Sequence, residues 1–479
     1  MKKNFVACFR LLPVIILAAC ANQQQSAGQK PVTSTASAAP NVIVIVADDL
    51  GYNDVGFNGS KDIPTPQIDR IAHNGVMFTN GYVSYAVCGP SRAGLITGRY
   101  QDRFGFSRNP LFAPKDPTQG LPLSEETLAD VLKKANYRTM AIGKWHLGAH
   151  PSQRPLKRGF DEFFGFLTGG HNYFPQDLTI NDISGVNSQY AAYKTKLLKN
   201  DTRVNETEYL TDAFSREAVQ FIERNAQTPF FLYLAYNAPH APLQATQKYL
   251  DRFPDIKNKQ RRTYAAMVSA MDDGVGQVLN TLERLKLDRN TIVVFLSDNG
   301  GPEQHNGSDN GLLREGKGTL YEGGVRVPFA MQWPGVIPQG MVYDKPVISL
   351  DIFATAIAPS RVIAKNELDG VNIIPYLTNI NQTAPHPTLY WRQFDKNSIA
   401  IRDGNYKYVT EDGVLDELFN LDNDISEAHP LTDSKKLQAL KDLHKKWDTK
   451  NSDPVFLGLS QDGQYNKEHP DRFKNGEKY

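Results

Sequence analysis

The chain has 479 residues, 40% of them aliphatic or aromatic, and a formal net charge of +1 from 53 basic and 52 acidic side chains. Single cores stop growing near roughly 250–300 residues, so a large domain plus a smaller one is expected. The charge balance argues against a nucleic-acid binder, which shows a basic excess or stripe, but leaves room for a local cluster of cations that holds a small anion.

Lys2 and Lys3 open the chain, and an apolar run follows from Leu11 to Ala19, broken by Pro13. A helix needs ~20 apolar residues to cross a bilayer, so this run reads as an export signal. It ends in LAAC, Leu17 to Cys20. That tetrad resembles a bacterial lipobox, in which cleavage leaves Cys20 as a lipid-bearing N-terminus. The expectation is a lipoprotein signal over residues 1–20 and an exported protein lipid-anchored to a bacterial membrane, facing the periplasm or the cell surface. An ordinary secretory signal cut nearby is the plainer alternative. Residues 21–40 are rich in Ser, Ala and Gln without apolar periodicity and read as a flexible tether. Of the three cysteines, Cys8 falls in the signal and Cys20 would carry lipid. Cys88 is left without a partner for an intrachain disulfide, and a lone thiol in an exported protein needs an explanation.

NVIVIVADD, Asn41 to Asp49, is a β-branched run ending in two acids, as suits a strand buried on both faces. LSEETLADVLKKANY predicts a helix with Ser124 as N-cap. TDAFSREAVQFIERN predicts another, with Thr211 as N-cap. FFLYLAY, Phe230 to Tyr236, repeats the buried-strand pattern, and a helix is expected from Tyr264. Within that helix Asp272 and Asp273 read as helix-face or inter-element hydrogen-bonding residues. TIVVFLSDNG, Thr291 to Gly300, is a third strand with polar residues at its C-terminal end. Strands alternating with helices argue an α/β layered sheet. In such sheets ligands bind beyond the carboxyl ends of strands, which selects Asp48, Asp49, Asp298 and Asn299. After about Pro385 the texture changes to short strands with tight turns (LYWRQF, SIAIRDGNYKYVTEDG, ELFNL) and one amphipathic helix, KKLQALKDLHKKWDTK. The expected organisation is a catalytic α/β domain over 41–384 and a small antiparallel sheet with one helix over 385–479.

Around Cys88 the sequence reads CGPSRAGLITGR. This resembles the signature of the type I, formylglycine-dependent sulfatases, C-x-P-S-R followed by T-G-R. Five further segments stand in that family's order: VADDLGY, GKWHLG (143 to 148), NAPHAP (237 to 242), LSDNGG (296 to 301) and GKGTLYEGGVRVP (316 to 328). AIRDGNYKYV and ELFNLDNDISE also look like the family's small C-terminal domain. The resemblance spans most of residues 41–430 and is closest in kind to bacterial polysaccharide sulfatases.

What the resemblance implies is specific. The fold would be alkaline-phosphatase-like, a large, mixed but mostly parallel sheet between helices. Cys88 would be oxidised to Cα-formylglycine by a formylglycine-generating or sulfatase-maturing enzyme. One hydroxyl of the aldehyde hydrate would attack sulfur, and the second would expel sulfate. Asp48, Asp49, Asp298 and Asn299 offer the oxygen ligands calcium prefers, and residue 88 would join them around one Ca²⁺. Arg92 matches the residue that stabilises the hydrate. Lys144 and Lys317 match the cations on the sulfate oxygens. His146 matches the partner of the formylglycine hydroxyls and the base for elimination, and His240 the acid that protonates the leaving alcohol. Taken singly, a lone cysteine is more often a small buried hydrophobe, and acids at strand ends often cap turns. Their joint placement favours the catalytic reading.

His171, Arg314, Trp391 and Arg392 are weaker candidates for substrate contact, in polar loops and at the start of the C-terminal sheet. The expected activity is hydrolysis of sulfate esters on a carbohydrate. Algal galactan such as carrageenan is the first guess, with ulvan and glycosaminoglycans next. The alternatives are a broad arylsulfatase and a phosphonate or phosphodiester hydrolase on the same scaffold. A non-catalytic glycan-binding lipoprotein would have lost some catalytic positions, and none is lost.

Overall fold

The run Asn41–Ala47 divides the core. It forms strand β1, buried at every position. Val42, Val44 and Val46 join one hydrophobic cluster, while Ile43, Ile45 and Ala47 join another. Side chains alternate along a strand, so both faces of this sheet must be covered. The structure, a computed structural model, describes residues 39–181 and 185–473. The signal over 1–20, its Cys8 and Cys20, and all but the last two residues of the tether over 21–40 lie outside the described residues.

Ten strands make the large sheet. In chain order they are β1, β2 (Val76–Phe78), then, after the short β3 (Gly81–Tyr82), β4 (Arg138–Lys144), β5 (Glu162–Phe166), β6 (Leu197–Lys199), β7 (Thr202–Val204), β8 (Phe230–Ala235), β9 (Thr291–Ser297), β10 (Phe329–Gln332) and β11 (Met341–Tyr343). Their spatial order is β11-β2-β10-β9-β1-β8-β4-β5-β6-β7. The five strands β9, β1, β8, β4 and β5 run parallel, and antiparallel neighbours flank them. The parallel strands therefore end on one common edge. Helices Pro66–His73, Leu210–Arg224 and Lys259–Arg284 cover one face, and Cys88–Thr97, Leu128–Lys134 and Asp351–Ile357 the other.

Helix starts differ from the sequence expectation. Thr127, not Ser124, caps the helix Leu128–Lys134, because Thr127 and Asp130 close a reciprocal capping box. Thr211 lies inside the helix Leu210–Arg224, whose cap position is Tyr209. The helix expected from Tyr264 begins earlier, at Lys259, where the Asn258 side chain accepts from the Arg261 amide. Asp272 does bridge elements. It accepts the amides of Gln67 and Ile68 at the start of helix Pro66–His73, satisfying donors no intrahelical carbonyl can reach. Asp273 pairs with Arg252 at 2.7 Å.

After the short β12 (Val347–Ile348), which pairs with β3, the C-terminal sheet runs β13 (Thr388–Gln393), β14 (Ser398–Asp403), β15 (Tyr406–Glu411), β16 (Leu415–Asn420), all antiparallel, with helix Ser434–Asp448 across it. The described residues fall in one compact unit, and a buried ionic cluster joins this sheet to the large domain. Lys407 of β15 is fully buried between Glu322 (2.8 Å) and Glu427 (2.9 Å). Glu322 also accepts from Tyr82 (2.6 Å), and Glu427 accepts the Glu322 amide (2.6 Å). Breaking a buried pair from one side leaves an uncompensated charge and costs about 3–5 kcal/mol. Lys407→Ala should therefore lower unfolding stability by that order in denaturant titrations. A loss below ~1 kcal/mol, the worth of a surface pair, would deny this cluster its joining role.

Candidate active site

The common edge of the parallel strands collects the chemistry. Asp48 and Asp49 follow β1, Asp298 and Asn299 follow β9, Lys144 ends β4 with His146 two residues on, and His240 lies in the loop after β8. Cys88 is the first residue of helix Cys88–Thr97, which is buried along its whole length. Lys317 comes from a loop beyond β9. Two of these positions need unusual backbone, with φ of 64° at Asp49 and 55° at His146. Asp and His are among the few side chains that tolerate the left-handed region.

Charges pair across the edge. Arg92, fully buried, donates through Nε (2.8 Å) and pairs through Nη2 (2.8 Å) with Asp298 Oδ2, and gives Nη1 to the Lys144 carbonyl (3.1 Å). Lys144 Nζ lies 2.7 Å from Asp48 Oδ2. Lys317 Nζ lies 2.6 Å from Asp49 Oδ1 and 3.2 Å from Cys88 Sγ. Asn299 Nδ2 donates to Asp49 Oδ1 (2.7 Å), and the Asp49 amide to Asp298 Oδ1 (3.3 Å). Burial pushes Asp48 up to about 7, although Lys144 opposes it. At Asp49 burial acts the same way, but Lys317 and His240 outweigh it and hold the carboxyl far down. Burial raises the Cys88 thiol despite both lysines. His146 is held well below its ordinary value by burial and then by Lys144 and Arg92, so it is neutral. Burial also lowers His240, to about 3, with Asp49 opposing. The Nδ1 of His240 faces the Ala241 carbonyl, which fixes the proton there and leaves Nε2 toward Asp49 Oδ2 at 3.6 Å.

A hard cation fits these residues. Asp48 Oδ1 and Asn299 Oδ1 are buried acceptors with no hydrogen-bond donor, a state that carries a desolvation penalty unless something else meets them. Ligand atoms of Asp48, Asp49, Cys88 and His240 lie within 4.8 Å of one another. Carboxylate and amide oxygens are what calcium and magnesium take. Asp298 Oδ2 is taken by Arg92, while a ring nitrogen of His240 lies among the atoms close enough to share an ion.

Over this edge opens a cleft of about 210 Å³, lined among others by Cys88, His146, Gly169, Tyr190, His240 and Lys317. The sulfatase family profile matches residues 40–358, and the profile of the N-sulphoglucosamine sulphohydrolase C-terminal region matches 315–453. The two overlap over the segment that carries Lys317. The chain belongs to the sulfatase family. Human N-acetylgalactosamine-6-sulfatase is 36% identical over 378 residues, 75% of this chain and 69% of that protein. Mouse arylsulfatase J is 37% identical over 353 residues, 72% of this chain and 57% of that protein. The solved structure of Ps i-CgsB in complex with k-i-k-neocarrahexaose is 42% identical, with a TM-score of 0.83 over 91% of this chain and 100% of that one. This sulfatase is a sulfuric ester hydrolase with the alkaline-phosphatase-like fold, and a formylglycine and a metal ion are part of its family's chemistry.

The ten positions from Asp48 to Lys317 come together as described. The four weaker candidates do not line the cleft. His171 is buried, stacked on Phe166 (4.7 Å between centroids), with Nδ1 toward the Asn172 carbonyl (3.0 Å). Trp391 is fully buried and gives its indole N–H to the Val83 carbonyl (2.7 Å), anchoring the C-terminal sheet. Arg392 is buried and binds Asp448 (2.9 Å) and the Ser452 carbonyl (2.6 Å). Arg314 lies over Tyr321 (3.9 Å) and donates to the Glu427 carbonyl (2.8 Å). Those residue types serve a core or a domain junction as well as a sugar, and the local sequence does not separate the two.

Sequence reasoning missed Thr168–Gly169–Gly170, Asn109, Tyr190 and Leu459, which come to the cleft or its edge from irregular loops. It also passed over Asn237, whose buried side-chain amide has no hydrogen-bond partner. The paired glycines were the available signal. A Cβ at Gly169 would lie 2.8 Å from Cε1 and Nε2 of His146. Gly169 has no positive φ, so Gly169→Ala should act only by displacing that imidazole. A misplacement of this size costs on the order of 10²-fold in rate. The expected result is a kcat reduced by that factor with Tm within a few degrees of wild type, read by steady-state kinetics and thermal melts. An unaffected kcat would show that His146 has no part in turnover.

Proposed function

We propose that this sulfatase hydrolyses sulfate esters on carbohydrate, with residue 88 oxidised to Cα-formylglycine and calcium at the acidic cluster. The observation that carries the reading is the position of Cys88, buried at a helix start with Lys317 on its sulfur and two neutral imidazoles across the cleft. As a thiol it is a poor nucleophile, because burial holds the proton on despite the lysines. An oxidised residue 88 would supply a nucleophile there, and a bound hard cation would supply charge neutralisation and lower the pKa of the attacking hydroxyl.

The chain's own groups account for the rest. Lys144 and Lys317 flank the place a sulfate group would occupy and neutralise the charge that grows on its oxygens. Arg92 holds Asp298 and the end of β4 in register. His240, once it is imidazolium, gives a proton from Nε2 to the departing sugar oxygen. It is neutral in the free site, and an anion delivered beside it favours imidazolium. His146 matches the family's base and takes the proton that the sulfate-releasing step gives up.

The 42% identity to a protein solved with k-i-k-neocarrahexaose supports carrageenan-type oligosaccharides as first substrates to try, with ulvan and glycosaminoglycan fragments next. Similarity to arylsulfatase J supports a broad arylsulfatase as the second reading. Sugar alcohols leave poorly, so protonation matters more for them than for nitrophenol. His240→Ala should lose ~10²–10⁴-fold on a sugar sulfate, the usual worth of general acid catalysis, and far less on nitrophenyl sulfate. Equal losses would make His240 a positioning group. An enzyme that turns over aryl sulfates but no sulfated oligosaccharide would establish the second reading.

We extend the proposal to maturation and location: a formylglycine-generating or sulfatase-maturing enzyme acts on Cys88, and a lipid on Cys20 anchors the exported chain to a bacterial membrane. Peptide mass spectrometry on active enzyme from its native host reads both. The expected spectra show an aldehyde at residue 88 and an N-terminal peptide beginning at acylated Cys20. Elemental analysis of the same sample should give one calcium per chain, absent in Asp48→Asn. An intact thiol in fully active enzyme rejects the first assignment, and an unacylated N-terminus the second.

A further inference from the structure

A second groove adjoins the catalytic cleft. It measures about 180 Å³. Asn109 and Leu459 line both spaces, and Val87 and Gly318 of the groove are chain neighbours of Cys88 and Lys317 of the cleft. The two therefore share one wall, and the groove is the neighbouring space that a sugar bonded to the one in the cleft could enter.

The charges there do not cancel. Arg108 clasps Asp395 through Nε (2.8 Å) and Nη2 (2.5 Å) and gives Nη1 to the Phe456 carbonyl (2.8 Å), so this pair is spent on itself. Gln461 adds nothing ionic; its side-chain Nε2 also donates to Asp395 (3.1 Å). Lys396 is the surplus. It is exposed, its ammonium donates to the Gly318 carbonyl (2.6 Å), and it pairs with no carboxylate among the described residues. An ammonium has three protons to give, so two remain for a ligand. In the catalytic cleft, Tyr190 presents a ring 71% exposed, packed edge-on against Tyr193, where a sugar face can lie.

We propose that the groove binds the sugar residue next to the one that loses its sulfate, and that Lys396 reads an anionic substituent, a sulfate or a carboxylate, on that neighbour. The inference rests on the carbohydrate reading above and adds a requirement that reading does not contain. Because the site then grips two linked residues, the substrate is at least a disaccharide.

The test uses three synthetic disaccharides that share one sulfated galactose and differ in the neighbour, which carries a sulfate, a carboxylate or hydroxyls alone. Wild type should show kcat/KM about tenfold higher with an anionic neighbour, a factor equal to ~1.4 kcal/mol. Lys396→Ala should bring that preference to near unity, and Lys396→Arg should keep it. The preference is a ratio within each enzyme, so any effect of losing the Gly318 contact cancels. The two anionic arms tell which group the lysine favours. Equal rates on all three substrates in wild type, or an undiminished preference in Lys396→Ala, would overturn the inference and leave the carbohydrate reading standing. Failure to desulfate any of the three, with aryl sulfates still turned over, would remove both.

Discussion

Everything in this protein answers to the burial of six charges on one sheet edge. Asp48, Asp49 and Asp298 oppose Arg92, Lys144 and Lys317, and all but Lys317 are nearly sealed from water. Taking an ion out of water costs several kcal/mol even after relaxation, and only close, well-aligned partners offset that. The sheet provides the alignment, because five parallel strands stop at one level and their following residues cannot wander far apart. With all six ionised the charges balance without a ligand. A metal cation bound there would tip the edge to a net positive charge, a condition that favours an anionic substrate.

The balance depends on a piece of chain that the sheet does not hold. Lys317 sits in an irregular loop, and the C-terminal sheet provides the acceptors and donors that fix it. Glu411 takes the Leu320 amide (2.8 Å), Glu427 the Glu322 amide (2.6 Å), and Gln393 (3.2 Å) and Lys396 (2.6 Å) meet the Gly318 carbonyl. The small sheet thus supports the sheet edge, although it contributes none of the ten positions gathered there.

How much of this was legible in the sequence follows from what each residue's neighbours are. β1, β8 and β9 were legible because a strand buried on both faces must be apolar at nearly every position. Their polar ends stood out against that background, and so did the site. The short flanking strands β2, β6, β7 and β11 have three residues each, too few for a period to show. Helix starts slipped where two capping residues competed, as with Ser124 and Thr127. The cleft's walls were illegible for a different reason. His171, Trp391 and Arg392 carry sugar-binding side chains turned to packing, while Asn109, Tyr190 and Leu459 reach the cleft or its edge from three distant loops.

The left-handed backbone at Asp49 and His146 bears on how related chains should be read. At those positions the main chain itself favours a few residues such as Asp, Asn, His and Gly, before any chemistry is asked for, although Lys286, Glu315, Arg361 and Glu427 enter the same region. A descendant that abandoned hydrolysis would still be pressed to keep something similar there. Cys88 and Lys317 sit in ordinary backbone and are under no such pressure. In a degenerate copy of this enzyme they are the first letters free to drift, and their presence is the better sign that a chain still works.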